Sequence, residues 1–219
     1  GIGAGIAEGL AKAGATVVVT GRNEEHLRAV AESIGGHGVR MDLTDRAATD
    51  AALEMIAADI GRIDILVNNA GMSDAAPIER TTDESWDQIM ELNLTAPLRL
   101  CRALIPAMVE AGWGRVINLA SNAGLSGYRY THAYCASKHG LVGLTRSMAH
   151  ELGTTGVTVN AVCPGWVNTD MYTAAIDRIV RTTGRTSEQA EKILTSMSPQ
   201  RRAVEVAEVA HAVLMLCDD

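Results

Sequence analysis

Four short apolar runs, separated by stretches with helical periodicity, constrain this chain more than any other feature. Residues 16–20 (TVVVT), 63–68 (IDILVN), 115–120 (RVINLA) and 157–163 (VTVNAVC) are too short for helices and rich in Val and Ile. A weaker run lies at 38–41. Helical spacing marks 4–13, 24–33 behind an Asn23 N-cap, 47–60, 86–110 and 133–152. The last carries Leu141, Leu144, Met148 and Leu152 on one face, with Gly153 as its stop. Strands apolar on both faces and separated by helices belong to a parallel sheet covered on both sides. The expected fold class is α/β, a doubly wound parallel sheet forming a single domain over residues 1–219. Ligands are expected at the carboxyl ends of its strands.

With 47% of its 219 residues hydrophobic, the chain can bury one sizeable core. A formal net charge of −7 argues against nucleic acid or an anionic membrane surface as the main partner. Cys101, Cys135, Cys163 and Cys217 are far apart and form no C-x-x-C pair. They read as reduced thiols of a cytoplasmic protein, with no disulfide framework and no metal site. No apolar run approaches the ~18–20 residues of a membrane span, and the start has no secretory pattern.

Chemistry concentrates in Tyr134-Cys135-Ala136-Ser137-Lys138, with Ser121 thirteen residues upstream of the tyrosine. Positions i and i+4 share a helix face, so Lys138 stands on the side of Tyr134. A phenol titrates near ~10, too high for easy proton exchange at neutrality. A cation at ~4 Å contributes roughly 4 kcal/mol at an effective dielectric near 20, enough to draw that value down. Lys138 is therefore expected to tune Tyr134 as a general acid/base. Asn93 stands four residues before Pro97, whose missing N–H leaves the Asn93 carbonyl without its helical donor and open to water. Gly1-Ile2-Gly3 opens a helix at once, a geometry that lets a phosphate approach free N–H groups.

These residues resemble the short-chain dehydrogenase/reductase family over essentially the whole chain. Gly1-Ile2-Gly3 looks like the tail of that family's glycine-rich turn, and Asn68-Asn69-Ala70-Gly71 like its Asn-Asn-Ala-Gly motif. The resemblance implies a Rossmann-type fold and a catalytic tetrad of Asn93, Ser121, Tyr134 and Lys138. It implies a water beside Asn93 that relays protons to the lysine. It implies cofactor contacts from Gly1, Ile2, Gly3, Asp42, Leu43, Asn69, Ala70, Gly71, Tyr134 and Lys138, and from Pro164, Gly165, Val167 and Thr169 around the nicotinamide. It also implies a homotetramer or homodimer built on the helices containing Asn93 and Tyr134. In such a sheet the first strand lies centrally and a last strand follows Asp219. Both are expected to be missing from this sequence.

The second strand ends in Thr20-Gly21-Arg22, with no acid to hold a ribose 2′-hydroxyl. Arg22 suits a 2′-phosphate, which favours NADP(H) and leaves NAD(H) open. Glu24 and Glu25 fit the helix N-terminus they occupy. The segment 172–202 corresponds to the family's substrate lid and carries Arg178, Arg181, Arg185, Lys192, Arg201 and Arg202. It reads either as a solvated helix pair or as a basic face for a carrier phosphate. Met171 and Tyr172 are candidates for an apolar pocket lining. Ser137-Lys138-His139-Gly140 and Ala161-Val162-Cys163-Pro164-Gly165 look like 3-oxoacyl-thioester and polyketide ketoreductases. The expected activity is reduction of a small ketone, coenzyme A- or acyl-carrier-linked, to a secondary alcohol. Dehydrogenation of a non-thioester alcohol, sugar or steroid stays open. So does a non-redox epimerase or dehydratase, which shares the Tyr-x-x-x-Lys pair. A cofactor-binding regulator would typically lose that tyrosine or lysine, and this chain keeps both.

Overall fold

The computed structural model describes residues 1–218. Five parallel strands form two separate sheets. β1 (Val18–Gly21) pairs with β2 (His37–Arg40). β3 (Ile65–Asn68), β4 (Gly114–Leu119) and β5 (Val157–Val162) pair in that spatial order. Every run expected as a strand overlaps one, with bounds that differ by one or two residues at the ends. The helices between them are α1 (Ile2–Lys12), α2 (Glu24–Ile34), α3 (Arg46–Asp59), α4 (Asp83–Met90), α5 (Ala96–Glu110) and α6 (His132–Leu152). Beyond β5 lie α7 (Asp170–Thr183), α8 (Ser187–Ser196) and α9 (Val206–Met215).

All six residues of β4 are buried, including Arg115 and Asn118 among its apolar residues. Val116 faces a cluster containing Leu66, Leu100, Met108, Met148 and Val159, under α5 and α6. Ile117 and Leu119 face the opposite cluster of Ile6, Val209 and Val213, under α1 and α9. Period-2 alternation thus fills both layers from one strand. Helix α1 lies close against α9 because Gly5 meets Val206, and a Cβ on Gly9 would stand 2.8 Å from Leu214.

The stretch 86–110, expected as one helix, is divided. Helix α4 begins earlier, where the Thr82 side chain accepts from Ser85 N–H at 3.2 Å. A π-turn, Glu91–Thr95, separates it from α5. Pro97 cannot donate to the Asn93 carbonyl, so the α ladder cannot run straight through. The turn widens instead, and Ala96 N–H reaches back to the Glu91 carbonyl. In the ladders, Asn68 is level with Asn118, and Leu119 with Val162. The carboxyl ends of β3, β4 and β5 therefore open at one level.

Candidate active site

Three strand exits and one helix start build the site. Beyond β4, Ser121 is in extended backbone and caps a short 3-10 turn, Asn122–Gly124. Its Oγ accepts from Ala123 N–H at 3.1 Å and donates to Asn122 Oδ1 at 3.2 Å. Beyond β5, the Pro164 carbonyl accepts from Asn122 N–H at 2.9 Å, tying the two exits together. Beyond β3 comes Asn69-Ala70-Gly71. Helix α6 starts at His132, so Tyr134 lies in its first turn and Lys138 one turn on.

The Ser121 side chain lies near enough to the Tyr134 hydroxyl to lower its pKa. Lys138 is 4% exposed; its Nζ donates to the Leu119 carbonyl at 2.7 Å and stands 5.8 Å from the centre of the Tyr134 ring. Asn93, fully buried at the middle of the π-turn, clasps the Met72 backbone from both sides. Its Oδ1 accepts from Met72 N–H at 2.9 Å, and its Nδ2 donates to the Met72 carbonyl at 2.8 Å. The same Nδ2 donates to Ser137 Oγ at 3.1 Å, and Ser137 Oγ donates to the Tyr134 carbonyl at 2.8 Å. Gly71 touches two of these groups. A Cβ there would stand 3.2 Å from Asn93 Oδ1 and 3.5 Å from Lys138 Nζ. Asn93, Ser121, Tyr134 and Lys138 are thus brought together by β3, β4, α6 and the π-turn.

The electrostatics correct one expectation. Burial holds the Tyr134 phenol above its ordinary range, and the group drawing it down is the Ser121 hydroxyl, not Lys138. Desolvation also pushes Lys138 down to about 8. A cation at ~4 Å from the phenol, taken without the cost of burial, gave the opposite sign. The fold buries both partners and bonds the ammonium to a strand carbonyl.

The other residues singled out in the sequence fall into two groups. Gly1, Ile2 and Gly3 start α1, whose N-terminus has no side-chain cap. A Cβ on Gly3 would lie 2.7 Å from Asn69 Nδ2, so this turn needs glycine to pack so closely on the β3 exit. Pro164 and the exposed Gly165 flank Asn122. Val167 is buried and bridges to Val204, while Thr169 Oγ1 donates to the Val167 carbonyl at 3.1 Å. Arg22, Asp42 and Leu43 belong to the other sheet, at the ends of β1 and β2. Arg22 is exposed. The Asp42 carboxylate accepts from the Thr44 hydroxyl at 2.7 Å and the Thr44 N–H at 3.0 Å. Those bonds, with smaller help from Arg22 and Arg40, hold its carboxyl below the usual range.

Between 172 and 202 the helix pair α7–α8 forms, with Met171 exposed. Tyr172 lines no open pocket: it packs 6.0 Å from Trp166 and its hydroxyl donates to Glu191 at 3.4 Å. Arg202 forms a fork with Glu208 at 2.6 and 2.7 Å. Arg201 is bonded to the Ser196 carbonyl at 3.0 Å.

Sequence reasoning missed Ser137 and Met72. Ser137 stands three residues from Tyr134, a spacing that shares the helix face. Met72 acts through its backbone, for which side-chain identity gives no signal. A buried amide relay also went unread: Asn68 Nδ2 donates to Asn118 Oδ1 at 2.8 Å, and Asn118 Nδ2 to Thr145 Oγ1 at 2.8 Å.

Comparison with known proteins decides the family. Residues 1–179 match the model of the short chain dehydrogenases. The chain belongs to the short-chain dehydrogenase family. It is an oxidoreductase acting on CH–OH groups. The 3-oxoacyl-[acyl-carrier-protein] reductase FabG of Escherichia coli (strain K12) is 38% identical over 221 residues, covering 100% of this chain and 86% of the reductase. D-beta-hydroxybutyrate dehydrogenase of Rhizobium meliloti (strain 1021) is 38% identical over 227 residues, covering 100% of this chain and 88% of that enzyme. Among solved structures, a variant actinorhodin polyketide ketoreductase with NADPH superposes with a TM-score of 0.95 at 36% identity. That match covers 100% of this chain and 86% of the ketoreductase. This short-chain dehydrogenase therefore has its expected doubly wound fold. Among the described residues, no helix is long and apolar enough to cross a membrane.

Proposed function

We propose that this enzyme reduces a 3-oxoacyl thioester to a 3-hydroxyacyl thioester, with NADPH as reductant. The observation that carries the reading is the meeting of Ser121, Tyr134 and Lys138 where β4 ends and α6 begins. Two relatives of matching coverage, one named for 3-oxoacyl-carrier reduction and one a polyketide ketoreductase, support the substrate class.

The residues present fit a dinucleotide. The uncapped N-terminus of α1 offers free N–H groups to a phosphate. Asp42 is held ionised to receive an adenine amine, and exposed Arg22 suits a 2′-phosphate. Asn69, Ala70 and Gly71, with Pro164, Gly165, Val167 and Thr169, would line the path to the nicotinamide. When bound, the reduced nicotinamide supplies the hydride. Ser121 Oγ orients the substrate carbonyl and stabilises charge growing on its oxygen. Tyr134, kept protonated through neutrality by burial, gives its hydroxyl proton to that oxygen. Lys138, anchored to Leu119, would hold the nicotinamide ribose and place positive charge beneath the phenol. Asn93 fixes Met72 and the start of α6, and its carbonyl is open to the water that extends the relay. Residues 172–202 act as the substrate lid, with Arg181, Arg185 and Lys192 as the basic groups free for a carrier phosphate. Assembly through the surfaces of α5 and α6 gives a homotetramer or homodimer.

The test is loss of absorbance at 340 nm with acetoacetyl-coenzyme A, comparing NADPH with NADH and wild type with Tyr134→Phe. Rapid NADPH consumption that vanishes in the variant supports the reading. No turnover alongside tight cofactor binding sinks the thioester assignment. Oxidation of 3-hydroxybutyrate in its place would favour the activity for which the Rhizobium relative is named.

A further inference from the structure

The guanidinium of Arg99, on α5, stands where the two sheets communicate. Its Nη2 donates to the Leu43 carbonyl at 2.6 Å and pairs with Glu91 Oε1 at 2.8 Å. Leu43 immediately follows Asp42, in a turn locked by Thr44 and by Thr49 Oγ1, which donates to the Asp42 carbonyl at 3.1 Å. Glu91 opens the π-turn whose central residue is Asn93. A single nitrogen therefore joins the turn at the end of β2 to the turn that clasps Met72 and Ser137.

Stability alone gives no account of this arrangement. The Arg99 side chain is only 11% exposed, and its Nε and Nη1 are buried without a hydrogen-bond partner. A buried ion pair with unfilled donors is commonly replaced by an apolar side chain at no loss of stability. Glu91 is eight residues from Arg99 and across the π-turn, so the pair adds no ordinary helical i,i+4 support.

We propose that Arg99 is a positioning residue coupling cofactor seating at the Asp42–Leu43 turn to the alignment of Asn93. The inference rests on the dinucleotide reading above. Binding at the adenine end fixes the Leu43 carbonyl, Arg99 transmits that position to Glu91, and the π-turn presents Asn93 in register with α6. Arg99 is bonded at both ends of this link and Glu91 only at the π-turn, so removing the guanidinium loosens both ends while altering Glu91 loosens one.

The experiment measures affinity for 2′,5′-ADP and 5′-AMP, fragments that lack the nicotinamide, beside kcat for full turnover. Arg99→Met is expected to weaken fragment binding and lower kcat, each by roughly tenfold, within the usual range of such coupling. Glu91→Gln keeps the Leu43 bond and is expected to lower kcat while holding fragment affinity within about twofold. Arg99→Lys supplies enough donors for both oxygens and is expected to recover most of both properties. Arg99→Met with unchanged fragment affinity and only a lowered Tm would overturn the coupling. If Arg99→Met does not fold, an unchanged kcat in Glu91→Gln overturns it equally. Failure of the wild type to bind either fragment would overturn the dinucleotide reading itself, and this inference with it.

Discussion

Lys138 Nζ donates to the Leu119 carbonyl at 2.7 Å, which fixes the ammonium to the strand that delivers Ser121. The cost of that burial appears as a pKa lowered from 10.5 to about 8. Below about 8 the folded protein carries the buried charge, and the penalty is fully present. Between about 8 and 10.5 the unfolded chain binds more protons than the folded one, so stability rises with pH. The total is on the order of 3 kcal/mol. Lys138→Met should therefore be more stable than wild type at pH 7, with the advantage fading by pH 10 to 10.5. Urea unfolding across that range checks it, and a constant difference would refute the argument. Activity should be lost in the variant throughout.

Tyr134→Phe removes one hydroxyl and leaves α6, Lys138 and the Asn93–Ser137 bond in place. General acid/base catalysis commonly contributes 10²–10⁴-fold, and kcat should fall by roughly that factor. Cofactor affinity should change little, because the ring and its packing persist. Fluorescence titration with NADPH beside steady-state kinetics separates the two, and equal losses in both would count against a proton-transfer role.

Gly71→Ala tests how tightly the site is built. The added Cβ presses on Asn93 Oδ1 at 3.2 Å, which must give by a few tenths of an ångström, while Lys138 Nζ at 3.5 Å is in ordinary contact. Misplacement of about 1 Å can reduce rates by about 10²-fold, so a fall in kcat of roughly tenfold is expected with the fold retained. Unaltered kcat would show that Asn93 does not need its present position.

The strands were legible because β4 and its neighbours bury both faces, leaving apolar runs that nothing else explains. The nearness of Tyr134 and Lys138 was legible because they share a helix face, whereas Ser121 and Asn93 joined them through the family resemblance. The break at Glu91–Thr95 was only half legible. Pro97 announced a disturbed helix, but whether a ladder kinks or widens depends on what packs beside it, here Met72 and Ser137. Helix α9 was not read at all, although Glu205 and Glu208 form a capping box at its start. The direction of the Tyr134 shift was misread because local sequence reports charges and omits desolvation, which only the packed fold supplies. Arg99 was invisible for a related reason: its acceptors are a carbonyl 56 positions away and a carboxylate across a proline-induced turn.

The lid makes its own contact with the site. Arg178 on α7 donates to the Ala75 carbonyl at 3.4 Å and faces Asp74 Oδ1 at 3.5 Å. This strap begins at Met72, which Asn93 clasps. It is also pinned by Ala76 N–H to the carbonyl of Tyr130, which takes a φ of 69° just ahead of α6. Both partners of the ion pair are 47% exposed, so the pair contributes at most about 1 kcal/mol to stability. If 172–202 is the lid proposed above, a pair this weak would let it open on each turnover. Arg178→Met should therefore shift Tm by only about 2–4 °C at most. It should raise KM for the proposed acyl substrate by roughly 2- to 5-fold, because a loss of up to ~1 kcal/mol is about a fivefold effect. Wild-type KM should rise more steeply with ionic strength than the variant's, because salt screens the exposed pair only where it exists. Parallel salt responses in the two proteins would show that Arg178 and Asp74 do not hold the lid.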